Sequence, residues 1–420
     1  MSASFYTLAR VFVPFAAGYF LSYLYRVVNA VIAPDLAADL GIGPSALGLL
    51  TATYFIAFAS FQLPLGVLLD RYGPRRMEAF LLLFAGLGAF VFSRSQSLAA
   101  LIVARALIGF GVSACLMAAF KAYTLWFARE KWPLVNGFQM AAGGFGALAA
   151  TAPVEAALQV TDWRGVFLVL AVLTLMVAVA VYTLVPEKAG AGAPESLSVQ
   201  WRGVKTVFTS LAFWRIAPLT TLSQATFLSI QGLWVGPWLK DVAGLDRMAV
   251  ANTLLWGAVA MIVGFLSLGT LAARLSRLGI SVASTSVIGM SLFMVAQLLV
   301  IDGRMAAAMP VWIGFCFFGT SGIIAYAALA QMFPVHLSGR VTTAVNLLVF
   351  VAAFLGQWAI GAIIGIWPVG EGGGYDPVGY RAGFALMFGL QGLTLVWFLI
   401  AGRMIQPKAQ TAGRKSEGES

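Results

Sequence analysis

The chain alternates long apolar runs with short polar breaks, and a water-soluble core of this size could not hide them. A helix needs about 20 apolar residues to cross a bilayer. Twelve runs meet that need, at 11–33, 45–69, 77–95, 98–127, 132–158, 164–185, 213–239, 248–273, 280–301, 306–333, 339–366 and 380–404. Charged residues make up 10% of the 420 and hydrophobic ones 60%, whereas a soluble domain carries about 25% charge. The expected solvent is therefore lipid, and the expected fold is an all-α membrane protein. Its parts are a six-helix bundle over 1–186, a cytoplasmic linker over 187–210, a second six-helix bundle over 211–405 and a disordered tail over 406–420. The first run reads as a retained span rather than a signal peptide, because no cleavage site follows it.

The net charge of +10 fits basic loops held on the cytoplasmic side better than a nucleic-acid surface. Arg10, Arg71, Arg75, Arg76, Arg202, Lys205, Arg274 and Arg340 fall on one side of the twelve runs, and few basic residues fall on the other. That asymmetry places both termini in the cytoplasm and the chain in the inner membrane. Cys115 and Cys316 sit in apolar runs and read as small packing residues. A single histidine, His336, leaves no His-rich metal site or hydrolytic triad. No Walker-type phosphate loop is present, and no cofactor is expected.

The halves repeat. "GVLLDRYGPRR" follows the second run and "GTLAARLSRLG" the eighth, with Gly66, Leu68 and Arg71 matching Gly269, Leu271 and Arg274. "WRGVF", from Trp163, follows the fifth run and "YRAGF", from Tyr380, the eleventh. Such duplication predicts a binding site near the midplane between the halves.

Arg26 lies in "YLYRVVNA", inside an uncharged run. It stands about 22 Å along its helix at 1.5 Å per residue, too deep to reach water easily. A central arginine costs about 2.5–3.5 kcal/mol on insertion scales, and such residues mark pathways. Two readings stay open here: contact with substrate, or an interhelical lock on a carbonyl or carboxylate. Asn29 shares its face. Gln224 and Gln231 lie seven apart on the seventh run, with Trp234 three beyond, and together they suit a polar, partly apolar solute. Tyr326, Asn346 and Gln357 are further candidates, and Lys121 adds positive field near the cytoplasm or simply extends toward it. Glu155 is the better proton-coupling candidate of the two acids, Asp35 and Glu155, placed in helices near the outer side.

"GVLLDRYGPRR" resembles the loop signature of the major facilitator superfamily, and "LIVARALIGFG" resembles that family's fourth-helix pattern. The resemblance covers all twelve runs. It implies two pseudo-symmetric halves, a gate built from Asp70, Arg71, Arg75 and Arg76, and a structural or gating role for Arg105. "YLYRVVNAVIAPDL" more loosely resembles the first helix of the organophosphate–phosphate antiporters and the anion–cation symporters, which implies that Arg26, with Tyr23 beside it, binds an anionic group. Tyr25 stands where the symporters have aspartate. Gln231 stands near the place of the antiporters' second arginine. A monoanion or zwitterion therefore fits better than a phosphate ester. The function expected is a monomeric secondary transporter that imports a small organic anion by proton symport or exchange. An exporter of neutral or cationic compounds, with Arg26 as a lock, and a non-transporting membrane sensor are the rivals.

Overall fold

The computed structural model describes residues 8–127, 132–187, 197–303, 308–334, 337–370 and 374–405. The described residues form helices and no strands. This is what lipid demands, since a helix satisfies its own backbone hydrogen bonds. Among the described residues, ten helices are long and apolar enough to cross a membrane. The other two expected spans are the second, broken into Pro44–Ser60 and Gln62–Tyr72, and the seventh, broken into Leu211–Ser229, a π-helical turn Ile230–Trp234 and Val235–Asp241. Thr220, Thr221, Ser223, Gln224, Thr226, Ser229 and Gln231 dilute the hydropathy of the seventh.

Within the first half, the third span packs on the fourth and sixth, and the first on the fifth; within the second half, the eighth packs on the tenth and the seventh on the twelfth. The halves meet where the second span packs on the eleventh and the fifth on the eighth. These two contacts exchange under the six-plus-six repeat. The repeated "WRGVF" and "YRAGF" also have matching jobs. In the first half, Asp39 accepts hydrogen bonds from Trp163 Nε1 at 2.9 Å and Arg164 Nη1 at 2.8 Å. In the second, Asp241 accepts from the Tyr380 hydroxyl at 2.7 Å. Each aspartate ends the first span of its half and ties it to the start of the sixth.

The outward faces of the third, sixth, ninth and twelfth spans stay apolar, with Phe80, Leu87, Val172, Met176, Val295 and Leu393 exposed. A belt of this kind is made for lipid. Inside, glycine permits close approach at two positions that matter for the site. A Cβ at Gly146 would collide with the Phe20 carbonyl, and one at Gly143 with the rings of Tyr19 and Tyr23. The fifth span can therefore lie directly against the first.

Three spans are irregular near the middle. The first breaks at Val28, between Val13–Val27 and Asn29–Leu40. Six residues on, Pro34 has no N–H to give the Ala30 carbonyl, and Gly236 of the seventh span fits closely against that carbonyl. The fourth span breaks between Leu98–Gly111 and Cys115–Trp126. The seventh carries the π turn. The linker also departs from expectation. Its second part forms a helix, Leu197–Phe208, packed on the eleventh span, with Val207 buried. Gly203 of this helix lies close against the Arg340 side chain of the eleventh span. Residues 188–196 and the tail 406–420 lie outside the described residues.

Candidate substrate-binding site and gates

A cavity of about 290 Å³ lies between the halves, lined by Tyr19, Tyr23, Arg26, Gln62 and Phe58 from the first half and Gln224, Tyr326, Asn346 and Phe350 from the second. It shares Gln62, Met117, Phe120 and Thr342 with a second hollow of about 570 Å³. That hollow reaches Leu69, Lys121, Val204 and Arg340, at the end of the bundle where the described chain begins, at Leu8, and stops, at Ile405. Together they make a passage from Arg26 to that end.

Arg26 is 7% exposed. Its guanidinium carbon lies 4.5 Å from the Tyr23 ring centroid, 5.2 Å from Phe350, 5.7 Å from Phe58 and 5.9 Å from Tyr54. Among the described residues it forms no salt bridge, and its Nε has no hydrogen-bond partner. Aromatic faces steady a cation by about 0.5–2 kcal/mol each, and the Tyr54 side chain is set against the guanidinium as a hydrogen-bond partner, which leaves the rest of the donor fork to the cavity. Arg105 makes an interhelical lock of the kind that one reading assigned to Arg26. Its Nη1 donates to the Tyr25 carbonyl at 3.1 Å, across the fourth and first spans.

Across the cavity, the Tyr326 hydroxyl donates to Asn346 Oδ1 at 3.4 Å, and Asn346 Nδ2 donates to Gln62 Oε1 at 3.1 Å. This chain links the halves on the cavity wall. Gln224 lines the same wall and donates to the Gly319 carbonyl at 3.0 Å.

Of the ten substrate-site residues expected, Tyr23, Arg26, Gln224, Tyr326 and Asn346 line this cavity. Lys121 lines the hollow toward the termini. Asn29, Gln231, Trp234 and Gln357 line neither. Asn29 is buried beyond the break at Val28, with neither amide atom hydrogen-bonded. Trp234 Nε1 donates to the Gln357 carbonyl at 3.0 Å, and its ring fills the space left by Gly48 and Gly361. Gln357 Nε2 donates to the Ser229 carbonyl at 3.4 Å. These residues seal the halves together beyond Arg26, where Gly232 approaches the Arg26 carbonyl. Trp234→Phe should therefore lower stability by about 0.5–1.5 kcal/mol, the worth of one hydrogen bond, and leave ligand affinity unchanged. Thermal unfolding and a binding titration on the same protein check both halves of that statement.

At the end opposite the termini, Arg247 of the eighth span clamps two carboxylates of the first half. Its Nη1 and Nη2 donate to Asp35 at 2.9 and 2.6 Å, and its Nε donates to Glu155 at 2.5 Å. Glu155 also accepts from Gln159 Nε2 at 3.1 Å. Glu155, expected as a proton carrier, is thus occupied in an ion pair between the halves. Its carboxylate is 4% exposed, whereas Arg247 is 47% exposed.

At the termini end, Arg75 Nε donates to the Tyr182 carbonyl at 2.7 Å, and Arg75 and Arg76 pair with Glu187. These contacts join the third and sixth spans within one half. Arg71 is exposed and lies over Tyr72 at 5.3 Å. The Asp70 side chain lies outside the described residues.

Sequence reasoning passed over Gln62, Phe58, Phe350 and Arg247. Gln62 was the traceable one, as an amide inside the apolar stretch "FASFQLPLG". It also passed over Glu78, fully buried in the third span.

Two related bundles with lipid-facing rims, around a cavity closed at one end, define a multi-pass membrane transporter rather than an enzyme. The Major Facilitator Superfamily profile matches residues 15–357, and the chain belongs to that family. A bacterial homologue of the human lysosomal transporter Spinster, solved in an inward-facing, unoccupied conformation, superposes with a TM-score of 0.72 at 15% identity, over 94% of this chain and 97% of the other. The nucleoside transporter NupG superposes at 0.74 with 13% identity, over 93% and 99%. Among sequence relatives, a probable sulfoacetate transporter of Cupriavidus necator is 26% identical over 37% of this chain and 36% of its own length. A probable L-galactonate transporter of Escherichia coli is 27% identical over 61% and 60%. A hexuronate transporter of Bacillus subtilis is 23% identical over 81% and 84%. The first two matches thus span 36% and 60% of those relatives.

Proposed function

We propose that this chain is an inner-membrane carrier of a small organic monoanion, of the carboxylate or sulfonate class, working by alternating access. The observation that carries the reading is Arg26: a buried cation on the wall of the inter-half cavity, ringed by aromatic faces, with no carboxylate of its own. A guanidinium fork left open in this way matches one planar anion by two parallel hydrogen bonds. The Tyr326–Asn346–Gln62 chain offers donors and acceptors for hydroxyl groups on the rest of the solute. The names of the relatives, which carry sulfoacetate, L-galactonate and hexuronate, support this class.

Basic residues around the cavity mouth make that end cytoplasmic. The conformation is then inward-facing, with the Arg247 clamp and the Trp234 seal closing the outer end. Import by proton symport or by anion exchange is the direction that reading favours. The test is counterflow in proteoliposomes preloaded with a hexuronate, L-galactonate or sulfoacetate, with a labelled copy of the same anion added outside. Exchange of at least one of the three, and no exchange of a neutral sugar or a cationic dye, is expected. Exchange of the dye alone contradicts the reading.

A further inference from the structure

Glu78 is the one fully buried carboxylate among the described residues, with 0% exposure; neither oxygen meets the geometry of a hydrogen bond, and the Cys115 thiol is the polar group set against it. It sits one turn into the third span, Pro74–Arg94. Gly18 of the first span makes room for it. A Cβ there would collide with Glu78 Oε1, 3.4 Å from its Cδ and 3.7 Å from Cys115 Sγ. The groups facing it can be named by element. The fourth span brings the Cys115 thiol and, further along, Tyr123. The first brings Gly18, with Arg26 about two turns on, roughly 12 Å along the axis at 1.5 Å per residue. The sixth brings Tyr182, whose ring lies under Arg75. The second ends in Arg71 and Tyr72, which pack on each other. No cation is in contact with Glu78 among the described residues.

An unpaired charge in such a place is far costlier than a neutral acid. A purely structural role would be served better by an apolar side chain. The carboxyl also sits beside the break in the fourth span, which ends at Cys115, and behind the two spans that form the Arg26 wall.

We propose that Glu78 carries the coupling proton, a proposal that rests on the anion-carrier reading above. With the cavity empty, the open Arg26 cation favours an ionised Glu78. When an anion neutralises Arg26, that support is gone and Glu78 takes up a proton. Anion and proton then bind with positive linkage, each strengthening the other by the same factor. Positive linkage of this sign is symport.

The test uses the whole protein, first without any substitution. Adding L-galactonate, sulfoacetate or a hexuronate to detergent-solubilised wild type in weak buffer with a pH dye should take up protons. An anion that exchanges in counterflow but takes up no proton between about pH 5 and 8 overturns the proposal. In proteoliposomes, Glu78→Gln should keep counterflow and lose accumulation driven by an acidic exterior, with anion affinity no longer changing with pH. Retained gradient-driven accumulation by Glu78→Gln overturns it as well. If that variant does not reach the bilayer, the wild-type proton measurement still decides. A wild type that exchanges none of the three anions fails at the earlier counterflow step, which overturns the anion reading and this proposal with it.

Discussion

Arg26→Ala should abolish anion binding and transport while leaving the protein folded. The guanidinium has no carboxylate partner among the described residues, so its removal breaks no ion pair. What folding loses is a set of aromatic contacts worth about 0.5–2 kcal/mol each, offset by relief from burying an arginine. What binding loses is a pair of charge-assisted hydrogen bonds at about 1.5–3 kcal/mol each, or a fall in affinity on the order of a hundredfold or more. Arg26→Lys keeps the charge and loses the fork, so affinity should drop at least about tenfold. Arg105→Ala should behave in the opposite way. It removes the hydrogen bond to the Tyr25 carbonyl and opens a void at a fully buried position, so the protein should be less stable. Size-exclusion profile, thermal unfolding and anion titration on the three variants separate these outcomes. An Arg26→Ala protein that unfolds as readily as Arg105→Ala would make Arg26 a second lock.

The second large effect concerns the outer clamp. Arg247→Ala removes every cross-half hydrogen bond to Asp35 and leaves Glu155 buried without its cation. Because Arg247 is half exposed, the loss is discounted from buried-pair values to about 1–2 kcal/mol. That is enough to shift the inward–outward population about tenfold toward outward-open. A cysteine placed at Ala30, which is 1% exposed and lines the hollow beneath the clamp, reports it. A membrane-impermeant thiol reagent added outside should label Ala30→Cys about tenfold faster in the Arg247→Ala background. Both native cysteines are buried and free, and they contribute a constant background. Equal labelling with and without Arg247 would show that the Trp234 seal alone closes the outer end.

Hydropathy made the twelve spans and the duplicated halves legible, because lipid leaves helices as nearly the only solution for such runs. Arg26 was legible for the same reason: a charge inside an apolar run has few explanations. The amides of the seventh span were misplaced by an assumption about geometry. Spacing by seven puts Gln224 and Gln231 on one face only if the helix stays α-helical. The π turn from Ile230 to Trp234 changes the turn per residue there, so Gln224 faces the cavity and Gln231 and Trp234 do not. Glu78 was hidden by its neighbours. It closes "GPRRME", a charged stretch that reads as the membrane surface, and only the notch over Gly18 shows that it turns inward. Arg247 looked like an ordinary loop charge, since ion pairs between distant spans leave no local pattern. The repeat of "WRGVF" and "YRAGF" was visible, but its purpose, to hold Asp39 and Asp241, needed three-dimensional contacts.

The most direct measurement is an experimental structure of the protein with a transported anion bound. The account predicts the carboxylate or sulfonate in the cavity between the halves, with two of its oxygens within hydrogen-bond distance of the Arg26 guanidinium and its remaining polar groups toward Asn346 and Gln62. An anion seated elsewhere, with Arg26 bound instead to a protein carboxylate, would contradict it.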